Sequence, residues 1–330
     1  MGSRHLLDPE VVPLFTAMPS LELNEDTLGS VRAWMAENPV PAPGAPDVEV
    51  TEIMVPTRDK GPGVRVLVYR PTGSAGPLPA LLHCHGGGFV LGSPDTNAAR
   101  NRYFAQSIQC LVVSVDYRLP PETPFPGPVE DCYDALCWLH NNATQLDVDA
   151  NRIAIGGQSA GGGLAAALGL LSRDRGEVPV AFQLLIYPML DDRTGAQTEV
   201  DPHLFAGEFG WTRDNNRFGW KSMLGVEPGG AEVSPYASPA RAGSLSDLPP
   251  TFIGVGALDL FVEENILYAN RLIRAGVPTE LHVYPGAVHG FDLFEGTHNQ
   301  LEFERTYHEA LRRALHPAEM PGFKVETKAT

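Results

Sequence analysis

Around residue 159 the chain passes from strand-forming to helix-forming sequence through a cluster of glycines, and this passage limits the folds open to it. Ile153, Ala154 and Ile155 run into Gly156 and Gly157. Gln158 and Ser159 follow, and Ala160, Gly161, Gly162 and Gly163 open an Ala/Leu-rich stretch with helical character. Gly-x-Ser-x-Gly between a strand and a helix requires a sharp turn, and glycine two residues before and two after the serine removes the Cβ atoms that would obstruct it. The serine at the tip can then hold a strained conformation with its hydroxyl presented outward.

The rest of the chain fits a sheet that accommodates such a unit. Strand-like runs lie at 48–56, 64–70, 80–84, 110–116, 152–156, 181–187, 251–256 and 280–284. Helical patterns lie between them at about 96–107, 129–142, 160–174, 263–275 and 299–315. The first two strands can pair as a hairpin, while the later alternation of strand and helix implies crossover connections and a mostly parallel sheet. Residues 1–38 read as helical, with Leu28, Val31, Trp34 and Met35 at helical spacing, and 38–47 as a Pro/Ala/Gly-rich linker. Residues 188–246 break the alternation. They carry Phe205, Phe209, Trp211, Phe218 and Trp220 and end in Ser/Pro/Gly-rich sequence, which suits an insertion above the sheet better than another crossover unit.

With 43% hydrophobic and 19% charged residues, 330 residues can bury a large core. A net charge of −16 argues against nucleic acid or an anionic membrane as partner. No apolar run approaches the roughly 18 residues of a membrane span, and the first residues do not form a secretory leader. Cys84, Cys110, Cys132 and Cys137 all lie in apolar segments without a Cys-x-x-Cys pair, so buried free thiols in a reducing, cytoplasmic compartment are expected.

A serine nucleophile needs a base, a group to orient the base, and N–H donors for an oxyanion. In nucleophile-elbow sheets the order along the chain is serine, acid, histidine. Asp259 follows the apolar strand 251–256, and His289 follows the strand 280–284, so both fall on the carboxyl edge of the sheet. Asp259 also suits a helix N-cap, and His289 a loop histidine with no chemical task. Ser159 in a phosphate-binding turn is disfavoured because no Lys-Ser/Thr follows. His85-Gly86-Gly87-Gly88-Phe89, directly after the strand 80–84, would bring backbone N–H groups close to a ligand, with Ala160 N–H at the helix start completing the set. A plain tight turn is the alternative. His83 and His85 form His-x-His, but no third ligand stands at metal-like spacing, so no metal is expected.

These pieces together resemble the hormone-sensitive-lipase-like group of α/β-hydrolases, the bacterial family IV carboxylesterases. The matching motifs are His85-Gly86-Gly87-Gly88, Asp116 to Glu122 with Pro124-Phe125-Pro126, Gly157-Gln158-Ser159-Ala160-Gly161, Asp259, and His289-Gly290-Phe291. Within the group the chain is most similar to heroin-esterase-like acetylesterases. The resemblance implies an α/β-hydrolase fold with a mostly parallel eight-stranded sheet flanked by helices and covered by a helical cap. It implies N-terminal cap helices over 1–45, a core over 46–187 and 247–330, and a cap insertion over 188–246. It also implies Ser159 as nucleophile, His289 as general base and then acid, Asp259 as its orienter, and Gly87, Gly88 and Ala160 as oxyanion donors. Two departures stand out. Gln158 occupies a position where Asp or Glu is commoner, and the acid motif reads Asp259-Leu260-Phe261-Val262-Glu263-Glu264, in which Glu263 suits a second carboxylate near the pocket.

The expected activity is hydrolysis of short-chain acyl esters through an acyl-enzyme, without cofactor, on a small-molecule ester substrate. Phe89, Phe205, Phe209 and Trp211 are candidate pocket residues. Members of the group often dimerise through edge strands. Amide or peptide hydrolysis would use the same machinery. A lipase would need an amphipathic lid that the sequence does not display. A ligand receptor on a dead scaffold would lack the histidine that His289 supplies.

Overall fold

The computed structural model describes residues 2–13, 21–38, 47–74 and 76–317. Among these, eight strands form one sheet: β1 (Val48–Val55), β2 (Val64–Pro71), β3 (Leu78–Cys84), β4 (Leu111–Asp116), β5 (Val148–Gln158), β6 (Phe182–Ile186), β7 (Thr251–Gly256) and β8 (Thr279–Tyr284). Their order is β1-β2-β4-β3-β5-β6-β7-β8. β2 pairs antiparallel with β1 and with β4, and every other pairing is parallel. Every residue of β3, β6 and β7 is buried. Strands covered on both faces need continuous apolar sequence rather than alternation.

Seven α-helices accompany the sheet among the described residues: α1 (Leu28–Glu37), α2 (Ala98–Ile108), α3 (Gly127–Asn141), α4 (Ala160–Arg175), α5 (Arg213–Leu224), α6 (Val262–Arg274) and α7 (His298–Leu315). Successive strand residues point to opposite faces and so divide between two helical layers. Leu81, Val112, Ala154 and Phe252 pack with Phe104 of α2 and Phe303 of α7. Their neighbours Leu82, Val113, Ile153 and Ile155 pack with Leu136 of α3 and Leu164 of α4. Tyr268 and Leu272 of α6 join α4 in a third cluster over Leu185 and Ile253.

The strands and α2, α3, α4, α6 and α7 lie close to their expected positions. β5 starts four residues before the expected strand because Val148 pairs with Leu78, across a register shift between Leu78 and Ala80. In the N-terminal region a 3-10 turn spans Ser3–Leu6, Val12 and Pro13 are helical, and α1 begins at Leu28. Residues 14–20, most of the expected linker (39–46) and 318–330 lie outside the described residues. Between β6 and β7 the described chain forms no strand. It holds α5 and a 3-10 turn at Pro239–Arg241. α5 was not foreseen, because Arg213, Asp214, Asn215, Asn216 and Arg217 give its first turns a polar, loop-like composition. Thr212 caps it, the hydroxyl accepting from Asn215 N–H.

Candidate active site

The turn at Ser159 joins the last residue of β5 to the first of α4. Ser159 has φ 56° and ψ −123°, a left-handed conformation that a residue with a Cβ adopts only under constraint. Three backbone bonds supply the constraint. Its N–H donates to Ile186 C=O at 2.9 Å, and its C=O accepts from Gly163 N–H and Met189 N–H, both at 3.0 Å. The start of α4 also presses against the end of β3. A Cβ on Gly161 would lie 2.1 Å from the Cys84 carbonyl oxygen, so only glycine fits there.

Asp259 sits just past β7 and His289 in the loop after β8. Main-chain bonds tie the two loops together, from Ala257 N–H to Tyr284 C=O at 2.8 Å and from Leu258 N–H to Ala287 C=O at 2.9 Å. His289 Nδ1 lies 2.8 Å from Asp259 Oδ2, and its Nε2 lies 2.9 Å from Ser159 Oγ. A carboxylate can only accept, so Nδ1 carries the proton and donates to Asp259. Nε2 is left as an acceptor aimed at the serine hydroxyl. The Asp259 side chain is wholly buried, and its other oxygen accepts from Phe261 N–H at 2.9 Å. The N-cap of α6 is Phe261, with no side-chain cap, so Asp259 is not the N-cap that the sequence also allowed: one oxygen orders the turn ahead of α6 and the other faces the imidazole. The imidazole is packed between aromatic rings: Tyr187 at 4.8 Å and Phe261 at 5.1 Å, both edge-to-face.

The loop after β3 flanks the serine. A Cβ on Gly86 would lie 3.5 Å from Ser159 Cβ. Gly87 has φ 127°, and its carbonyl accepts from Val90 N–H and Leu91 N–H, which closes the loop back on itself. The two histidines of His-x-His face different partners. His85 Nδ1–H donates to Gly86 C=O at 2.9 Å, and the ring stacks on Tyr117 at 4.2 Å. Burial lowers its pKa to about 4. His83 Nε2 bonds Gln158 Oε1 at 2.9 Å, and burial lowers its pKa to about 3. Both rings are therefore neutral at ordinary pH. Gln158 passes the chain on, its amide N–H donating to Asn97 Oδ1. An uncharged hydrogen-bond chain thus lies behind the serine. Among the described residues no three His, Cys, Asp or Glu side chains cluster as a metal site.

Trp211 leans over the loop, its indole so close that a Cβ on Gly88 would lie 2.2 Å from the ring. Its N–H donates to Asn216 Oδ1 at 3.1 Å, and its ring centre is 6.3 Å from that of His289. Phe89 is fully buried, 5.1 Å from Trp220, and so backs the loop from within the core. Phe209 packs against the cluster that holds Tyr187 and Phe291. Phe205 is exposed, beside the rings of His5 and His203. Arg32 of α1 ties the N-terminal region to this area, donating to Val90 C=O and Pro120 C=O and pairing with Glu122.

Glu263 is exposed, contrary to the expectation of a second carboxylate near the pocket. The buried acid is Glu264, one residue on. It accepts from Leu190 N–H at 2.6 Å and from the Thr194 hydroxyl, which pins the loop after β6 to α6. Burial pushes its carboxyl well above the usual range. The helical periodicity of 262–274 carried the signal that separates the two, since Glu264 shares a face with Tyr268. Tyr187 had no such signal: a tyrosine after an apolar strand reads as part of that strand.

Sheet order, elbow and flanking loops define a class, the α/β-hydrolases, and the model of the α/β-hydrolase fold family matches residues 81–293. The chain belongs to that family, and within it to the hormone-sensitive-lipase-like esterases. A bacterial heroin esterase of known structure superposes with a TM-score of 0.86 at 39% identity, over 94% of this chain and 98% of its own. Carboxylesterase NlhH of Mycobacterium tuberculosis is 34% identical over 94% of this chain and 97% of its own. Esterase LipI of the same organism is 33% identical over 88% and 89%. No helix among the described residues is long and apolar enough to cross a membrane.

Proposed function

We propose that this carboxylic ester hydrolase cleaves short-chain acyl esters of small molecules through a Ser159–His289–Asp259 triad. The observation that carries the reading is the unbroken hydrogen-bonded chain from Ser159 Oγ through both imidazole nitrogens to a buried carboxylate. His289 Nε2 takes the hydroxyl proton as Oγ attacks the ester carbonyl carbon. The oxyanion that forms is held by the N–H groups of Gly87, Gly88 and Ala160, at the positive end of α4. His289 then protonates the departing alcohol, and the same base directs water onto the acyl-enzyme. Asp259 keeps Nδ1 protonated and stabilises the imidazolium. This sequence of steps calls on no metal or organic cofactor.

The N-terminal region and the 188–246 span act as a cap in this reading. Trp211, standing between Gly88 and His289, forms the wall that limits acyl length. The four buried thiols fit a reducing, cytoplasmic setting. A rate series from acetyl to decanoyl p-nitrophenyl esters, run with and without a serine-directed organophosphate, tests the proposal. Rates falling with chain length and label carried by Ser159 are expected. Rates flat or rising with length refute the short-chain assignment, and label elsewhere refutes the nucleophile. Trp211→Ala should shift the optimum toward longer acyl groups.

A further inference from the structure

We infer that Tyr187, Asp292 and Arg100 form a positioning chain that holds His289 through the edge-to-face contact of the Tyr187 ring. The inference rests on His289 being the base. Tyr187 follows β6 directly, with φ 33° and its N–H donating to Gly254 C=O at 2.8 Å. This unusual backbone conformation directs the ring edge-to-face against the imidazole. The Tyr187 hydroxyl donates to Asp292 Oδ1 at 2.7 Å. Asp292 stands three residues beyond His289 in the same loop, its carboxylate wholly buried, and its other oxygen pairs with the Arg100 guanidinium from α2.

The layout exceeds what stability alone requires. A buried ion pair seldom stabilises a fold more than apolar residues of the same shape would, because both charges lose their water. Here the pair is spent on one loop, and the element it fixes carries the base. Three elements meet there: β6 through Tyr187, α2 through Arg100, and the loop after β8 through Asp292. Tyr103, Glu295, Glu304 and Tyr307 line the adjoining cleft of about 510 Å³ beside Arg100 and Asp292, and the His83 and His308 rings also feel the Arg100 charge. None of the cleft residues touches His289. The chain acts on geometry: it fixes the height and tilt of the ring, so that Nε2 stays in line with Ser159 Oγ when the proton moves. A displacement of the order of 1 Å in such a group costs up to about 100-fold in rate.

The test compares Tyr187→Phe, which keeps the ring and removes the hydroxyl, with Asp292→Asn, which removes the charge, and with His289→Ala as reference. Steady-state kcat and KM on p-nitrophenyl acetate are read beside the rate of Ser159 phosphonylation and the thermal midpoint. For Tyr187→Phe the expected result is a kcat lower by about tenfold with KM within twofold, phosphonylation slowed in proportion, and a folded protein. Wild-type kcat and labelling in a folded Tyr187→Phe overturn the inference, whatever the midpoint does. Should Tyr187→Phe not fold, Asp292→Asn decides by the same criterion. An active His289→Ala would instead refute the proposed base itself, a result independent of the Tyr187 outcome.

Discussion

Ser159 is held in its conformation by three backbone hydrogen bonds, and in the proposed mechanism its reactivity depends on one more, to His289. Ser159→Ala keeps the backbone and removes Oγ, so activity is expected to fall by several orders of magnitude with circular dichroism unchanged. Asp259→Asn retains an acceptor for Phe261 N–H but loses the charge facing the imidazolium. A loss of about 10⁴-fold in kcat is expected, smaller than for Ser159→Ala. A near-wild-type rate would remove Asp259 from its role. At Gln158 the missing charge is itself testable. Gln158→Glu sets a carboxylate against His83, and an opposite charge favours the protonated ring. Burial holds the His83 ring neutral in the parent, with its pKa lowered to about 3, so in the variant its resonances should titrate at higher pH in an NMR titration. Unchanged titration would mean that the two side chains do not share a proton.

At the scale of elements, what the sequence made legible follows from how each one is stabilised. β3, β7 and α4 were readable because burial on both faces requires apolar runs and because a helix pressed on a strand end requires small residues. Gly161→Ala should therefore lower the thermal midpoint and kcat together, since the added methyl meets the Cys84 carbonyl rather than a movable side chain. Loss of stability without loss of rate would show that α4 can shift without moving Ser159. α5 escaped notice because its support is tertiary: Trp220 packs on Phe89, and Gly219 lies against the Gly88 carbonyl. The positions of Ser159, Asp259 and His289 could be inferred from motif and order. Tyr187, Asp292 and Arg100 could not, because Arg100 and Asp292 are 192 positions apart, Tyr187 is 105 from Asp292, and the three share no local pattern.

Across the whole molecule, three imidazoles link folding to acidity: His83 and His85, which are buried, and His308, which is partly buried. The folded values are about 3 for His83 and about 4 for His85 and His308, all lowered chiefly by burial. In the unfolded chain each returns to about 6.5. Between those limits the unfolded chain binds protons that the folded chain refuses. The contribution of these histidines to stability is thus fully present above about pH 6.5 and declines as the pH falls toward 4. Urea midpoints measured at pH 7.5 and pH 5 should show the lower value at pH 5, and a flat midpoint would refute the linkage.

The bond between Leu258 N–H and Ala287 C=O has a consequence for anyone rebuilding this enzyme. It fastens the segments that carry Asp259 and His289 into one mechanical unit. A chimera that imports either segment from a relative inherits half of a matched joint. Exchanging both together is the transplant this architecture should tolerate.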